Sequence, residues 1–162
     1  KYKYALIDRD AGPVKQGKCR LLLAAINMIG YYSLPIRILS LLVRETEHLA
    51  ERYDVRFVEW ESHFAVNQPD EIASWAQLII RQKPDLLGLS VNIWNLQKTI
   101  QMLRIIKNHL PELRVIAGGQ EMTNSVVHYL NLIPELDYIV DGEGEIAFQQ
   151  FWNNGDLRAT AS

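Results

Sequence analysis

The chain has 162 residues, 48% of them hydrophobic and 22% charged, with a formal net charge of -2. That is the mass of about one ordinary domain with a sizeable core, and its scattered Lys and Arg residues leave no electrostatic footprint for nucleic acid. A single cysteine, Cys19, excludes an internal disulfide and any Cys cluster for zinc or iron–sulfur, and reads as an inert small apolar residue.

The first residues mix charges with Gly12-Pro13 and Gly17-Lys18, so residues 1–19 read as a lead-in, within which Tyr4-Ala5-Leu6-Ile7 has the composition of a short extra strand. Arg20-Leu21-Leu22-Leu23-Ala24-Ala25-Ile26 is an apolar strand. After a loop with Gly30 and Pro35, a single helix is expected on Ile36, Leu39, Leu42, Val43, Thr46 and Ala50. The alternation in Val55-Arg56-Phe57-Val58-Glu59-Trp60 predicts a more exposed edge strand. A loop through His63, Asn67 and Pro69 leads to a helix on Ile72, Trp75, Ala76 and Ile79.

Leu86-Leu87-Gly88-Leu89-Ser90-Val91-Asn92 is apolar without alternation and follows the turn Lys83-Pro84-Asp85, which suits a central strand covered on both faces. A helix on Leu96, Ile100, Leu103, Ile106 and Leu110 follows, with Asn95 as the best-placed cap. Leu113-Arg114-Val115-Ile116-Ala117 is the fourth strand and ends in Gly118-Gly119. It precedes a shorter helix through Val126, Val127 and Leu130. Leu136-Asp137-Tyr138-Ile139-Val140 is the fifth, running into Asp141-Gly142-Glu143-Gly144-Glu145 and a last helix carrying Phe148, Phe151 and Trp152. Residues 153–162 turn polar and small, as in a linker or chain end. No stretch approaches the roughly 20 apolar residues of a membrane span and no signal peptide opens the sequence, so a cytoplasmic protein is expected.

Five β–α units with short connections predict an α/β, doubly wound, mainly parallel five-stranded sheet, flavodoxin-like, in the order 2-1-3-4-5. The two rims of such a sheet differ in composition. Turns entering strands hold Pro84, Pro111 and Pro134, which is structural. Turns leaving strands collect Gly30, Gly118, Gly119, Gly142 and Gly144 with Asn27, Ser90, Asn92, Gln120 and Thr123, as expected where backbone approaches a ligand. Taken singly, each glycine could be a tight turn, and Ser90 or Asn92 a helix cap. Gly142-Glu143-Gly144-Glu145 formally resembles a dinucleotide fingerprint, but two carboxylates facing a pyrophosphate are electrostatically wrong. A phosphoacceptor domain of two-component signalling needs an acidic residue where Ser90, Val91 and Asn92 stand. No catalytic set or metal cluster emerges: His48, His109 and His128 read as solvated, and His63 alone falls on the functional rim.

Ser90-Val91-Asn92, then Gly118-Gly119, then Asp137-Tyr138-Ile139-Val140-Asp141-Gly142-Glu143-Gly144-Glu145 before Phe148, resembles the N-terminal cobalamin-binding domain of cobalamin-dependent radical S-adenosylmethionine enzymes. That family includes methyltransferases acting on unreactive carbons and the anaerobic magnesium-protoporphyrin IX monomethyl ester cyclase. The resemblance covers residues 20–152. It implies a cobalamin nucleotide tail in a cleft between the first and third predicted strands, beside Gly118 and Gly119, with Ser90, Val91, Asn92 and Gln120 around it. By the same resemblance Asn27, Gly30, Tyr31, Gly142, Glu143 and Gly144 meet the corrin ring, with Tyr32 and Trp94 as apolar cover. Cobalamin domains of the methionine synthase type carry Asp-x-His-x-x-Gly after the first strand. Here that loop reads Asn27-Met28-Ile29-Gly30-Tyr31-Tyr32, so "base-off" binding without a histidine ligand is expected. Radical chemistry needs Cys-x-x-x-Cys-x-x-Cys, so the S-adenosylmethionine and 4Fe-4S sites are expected in a downstream barrel beyond Ser162. The alternatives are a nucleotide- or small-molecule-binding flavodoxin-like domain, and an interaction domain that takes no corrinoid.

Overall fold

Apolar runs without alternation need cover on both faces, and the sheet supplies it. In the protein's structure, a computed structural model that describes residues 5–7, 17–63, 69–123 and 125–146, the strand β2 (Cys19–Met28) buries every residue from Leu21 to Ile26. The remaining elements in order are β1 (Ala5–Ile7), α1 (Leu34–Glu45), α2 (Glu47–Arg52), β3 (Tyr53–Ser62), α3 (Pro69–Gln82), β4 (Leu86–Ser90), α4 (Leu96–His109), β5 (Arg114–Gly118), α5 (Val126–Leu132) and β6 (Tyr138–Ile139). The sheet order is β1-β3-β2-β4-β5-β6. Strands β3, β2, β4, β5 and β6 are parallel, which is the expected 2-1-3-4-5 arrangement, and β1 joins antiparallel outside β3. The expected last helix on Phe148, Phe151 and Trp152 and the tail 153–162 lie outside the described residues. Only its first turn, residues 144–146, is described.

Two cores sandwich the sheet. One face packs Leu22, Ala24, Ile26, Trp60, Leu87 and Leu89 against α3 and α4, where Ile72, Trp75, Ala76, Ile79, Ile100, Leu103 and Ile106 are buried and Trp60 stacks on Trp75 at 5.6 Å. The other packs Leu21, Leu23, Ala25, Leu86 and Ile116 against Ile36, Leu39 and Val43 of α1 and Leu49 of α2. Helices therefore leave β2 and β4 toward opposite faces. The crevice between those two carboxyl ends is the switch point of the topology.

Three elements differ from expectation. The helix expected to run through Thr46 is two helices, because Thr46 is extended (φ -96, ψ 110) and serves as C-cap of α1 and N-cap of α2. β3 is not an exposed edge: Ala5–Ile7 pairs with Val58, Glu59 and Trp60, and Tyr53, Asp54, Val55, Val58, Glu59, Trp60 and Ser62 are buried. Two of its carboxylates are buried with ionic partners rather than facing water, Asp54 beside Arg56 at 3.4 Å and Glu59 beside Arg37 at 2.6 Å. In α5 the core residue is Tyr129, while Val127 is exposed.

The amino-terminal rim is structural. Asp85, just before β4, accepts from the Arg20 backbone N at 2.8 Å and from its guanidinium at 2.9 and 3.1 Å. Asp137, just before β6, accepts from Val115 N at 2.7 Å and Lys107 Nζ at 3.1 Å. Each carboxylate thus starts a parallel ladder with a side chain. The Arg20 guanidinium holds the Asp85 carboxyl below the usual range. Because the folded pKa is depressed, this stabilisation is complete above the unfolded value and is lost as pH falls toward the folded one. The stability difference between wild type and Asp85→Asn should therefore shrink as pH drops from about 5 to about 2 in urea unfolding. A difference that stays constant across that range would refute the assignment.

Candidate functional site

Where a parallel sheet faces a helix, a strand position without a side chain leaves a hollow. On the α1 face of the sheet, β4 presents Leu86, Gly88 and Ser90, and β5 presents Arg114, Ile116 and Gly118. Gly118 leaves the hollow, Gly88 makes room for the Leu23 side chain, and Leu23, Ile36, Leu39, Ile116 and Val140 wall it. The result is a cleft of about 240 Å³, with Ser90, Gln120 and Thr123 as its hydroxyl and amide groups and residues 142–145 along its mouth. That is slightly below the roughly 300 Å³ at which pockets begin to enclose a whole drug-sized ligand. It suits one flat apolar portion of a larger molecule, the remainder lying on the rim.

The two glycines that close β5 have different duties. At Gly118 a Cβ would make ordinary contact with Val140 at 3.5 Å, so a small side chain is compatible with the backbone and a long one would enter the cleft. Gly119 has φ +119, and a Cβ there would overlap the carbonyl oxygen of Val91. The adjoining Val91 N donates to Gly118 O at 2.7 Å. No other residue type fits that approach.

Of the twelve residues expected at the site, the cleft gathers Ser90, Gly118, Gly119, Gln120, Gly142, Glu143 and Gly144. The other five are placed differently. Val91 is 1% exposed, with its side chain in the α3–α4 core. Asn92 gives its backbone N to Asn95 Oδ1 at 2.8 Å. Asn27 turns its amide to Glu59, Nδ2 donating to Oε2 at 2.7 Å. Gly30, at φ +83, donates its N to Glu61 Oε1 at 3.2 Å. Tyr31 stands out into solvent next to the equally exposed Tyr32.

Two residues that shape the switch point escape a sequence reading. Gly88, isolated inside a strand, is the signal that would have found the floor of the cleft. Asn95 occupies the N-cap position of α4 but makes no capping bond there. It is 1% exposed, and its Nδ2 donates across the switch point to Ile26 O at 2.9 Å and Ser90 O at 3.0 Å. Beyond it, Lys98 is buried, its Nζ donating to Ser62 Oγ at 2.6 Å and to the His63 carbonyl. Burial pushes the Lys98 ammonium below its usual range, with the Glu71 charge opposing. His63 itself is exposed, and among the described residues no group of three or more His, Cys, Asp or Glu side chains could hold a metal ion.

The family model of the B12 binding domain matches residues 31–151. The chain belongs to that family. It is 26% identical over 125 residues to the cobalamin-dependent radical SAM methyltransferase TokK of Streptomyces tokunonensis, which is 77% of this chain and 17% of that protein. It is 25% identical over 138 residues to 2-(S-pantetheinyl)-carbapenam-3-carboxylate methyltransferase of Streptantibioticus cattleyicolor, 85% of this chain and 19% of that one. The chain thus spans less than a fifth of the length of either relative. Among solved structures, pilus assembly protein CpaE of Caulobacter crescentus aligns at a TM-score of 0.50 and 12% identity, over 83% of this chain and 98% of that one. Putative CpaE2 of Sinorhizobium meliloti aligns at 0.50 and 13%, over 78% and 93%. These two share the fold, a flavodoxin-like α/β sheet. No described helix is long and apolar enough to cross a membrane.

The cleft of this B12-binding domain fits the tail of its family's ligand. A floor without a side chain at Gly118, apolar walls and the Ser90 hydroxyl are compatible with a flat ring system carrying polar atoms. Gly119→Ala should destabilise the domain by about 1–3 kcal/mol, the usual cost of forcing atoms into a filled site. Gly118→Ala should leave thermal unfolding nearly unchanged. Equal midpoints for the two variants would contradict the close approach of Gly119 to Val91.

Proposed function

We propose that this chain is the cobalamin-holding module of a radical S-adenosylmethionine enzyme, of the methyl-transfer or anaerobic cyclase type, and that it holds the cofactor base-off without a histidine ligand. The single observation that carries the reading is the glycine-floored cleft at the carboxyl ends of β4 and β5, in a chain of the B12-binding family. Bound cobalamin supplies a metal-centred carrier for one-carbon or radical chemistry. What this chain contributes is binding and orientation. Ser90 and Gln120 offer hydrogen bonds to the tail, while Leu39, Ile116 and Val140 exclude water from its faces. Glu143 and the backbone of Gly142 and Gly144 at the mouth suit the amide groups around a corrin ring, since carboxylates accept from N–H donors. The same carboxylates disfavour a phosphate-led nucleotide, which separates this reading from a nucleotide-binding one.

The loop at residues 27–32 holds no histidine, which supports binding without a histidine ligand. S-adenosylmethionine and a 4Fe-4S cluster would bind in a barrel of the same polypeptide, where the protein's catalytic residues would lie. The working compartment would be the cytoplasm.

Incubation with hydroxocobalamin followed by gel filtration should leave the corrinoid bound, with a base-off visible spectrum unchanged in His63→Ala. Gly118→Leu, which fills the cleft, should fold and lose most of the bound cofactor. Failure of the folded wild type to retain corrinoid would overturn the module reading, and a histidine-coordinated spectrum would overturn the axial assignment.

A further inference from the structure

The loop that follows β2 is tied down by two carboxylates from the neighbouring strand. Glu59 is 2% exposed. Its Oε2 accepts from Asn27 Nδ2 at 2.7 Å and from the backbone N of Ser33 at 2.8 Å, and its Oε1 accepts from Arg37 Nε at 2.6 Å. Glu61, two residues along β3 and so on the same face, accepts from Gly30 N at 3.2 Å. Asn27, Gly30, Ser33 and Arg37 are thus all held from β3.

A buried carboxylate is a poor way to stabilise a core, because an apolar residue of similar volume often does as well. It is a good way to fix a loop, since each oxygen demands donors in set directions. The donors of Glu59 all come from the end of β2, the loop, or the first turn of α1. The arrangement continues outward: the Arg37 guanidinium lies 4.7 Å from the centre of the Tyr32 ring and 5.6 Å from that of Phe57. Tyr31 and Tyr32 are then left 62% and 64% exposed, two adjacent aromatic residues shortly before α1, whose Ile36 and Leu39 wall the cleft.

We propose that Glu59 is the positioning residue of a preformed ring platform, holding Tyr31 and Tyr32 to receive the flat face of the corrin macrocycle, separately from the cleft that takes the tail. The inference rests on the cobalamin reading above. It divides the site into two halves that two ligands can address: dicyanocobinamide, a corrin without the nucleotide tail, needs only the platform, whereas cobalamin uses both.

The test is the dissociation constant of each ligand for the 162-residue chain, by equilibrium dialysis, with thermal unfolding followed alongside. Glu59→Gln should weaken both ligands by the same factor, about tenfold or more, as expected for loss of a charged hydrogen-bonding partner. Gly118→Leu should weaken cobalamin and spare cobinamide. Tyr31→Ser combined with Tyr32→Ser, at exposed positions that leave the core intact, should weaken both ligands without moving the unfolding midpoint, and keeps the test in force should Glu59→Gln not fold. Unchanged cobinamide affinity in the folded Glu59→Gln and double tyrosine variants would overturn the proposal, as would a wild type that binds cobalamin but not cobinamide. A wild type that binds neither ligand marks failure of the cobalamin reading itself, and the platform falls with it.

Discussion

At the switch point the chain leaving β2 must turn toward α1 and the chain leaving β4 toward α4 on the opposite face. The ladder between them ends at Ala25 and Ser90, and the next carbonyls would be left facing a partner that has departed. Asn95 supplies the missing donors. One amide nitrogen serves Ile26 O and Ser90 O while its oxygen takes the Asn92 N–H. A crevice that both sides would otherwise widen by fraying is thereby given a fixed width, and Ser90, Gly118 and Gly119 keep their places along it. An unpaired carbonyl at that depth costs about 1–3 kcal/mol, so this one residue bears on both stability and the shape of the cleft.

The elements governed by apolar periodicity were legible in the sequence. Ile72, Trp75, Ala76 and Ile79 are the four buried residues of α3, and the uninterrupted run of β4 does lie between two cores. What the pattern missed is where a local choice is decided by a distant partner. The stripe from Ile36 to Ala50 carries across Thr46 with little fault in period, yet the chain breaks there so that α2 can bring Leu49 onto the sheet beside Tyr53 and Val55. The short α5 pattern was too brief to choose between Val127 and Tyr129. For the site, the collection of glycines and small polar residues on one rim gave seven of the twelve expected residues. The other five lie outside the cleft, and residue type alone does not give their partners: Asn27 has the chemistry to meet a ligand and donates to Glu59, and Asn95 has the chemistry of a cap and bridges two strands.

Charge was the least readable property. A Glu in an alternating strand and a Lys in the first turn of a helix both suggest water, and Glu59 and Lys98 are among the buried residues of the protein. Each is enclosed because the other side of the contact is backbone or a side chain that could be found only in three dimensions: Ser33 N and Arg37 for one, Ser62 and the His63 carbonyl for the other. The two rims thus use polar groups in different ways. At the amino rim, Asp85 and Asp137 start the ladders, whereas at the carboxyl rim Glu59, Asn95 and Lys98 secure what comes after the ladders end.

The sheet also ends narrowly at both sides. Its outer strands among the described residues are Ala5–Ile7 and Tyr138–Ile139, three and two residues long. Such stubs offer few free backbone groups as a template, which is a common protection against edge-to-edge aggregation. A strand added to either of these two outer strands would find only three or two residues to pair with among the described residues.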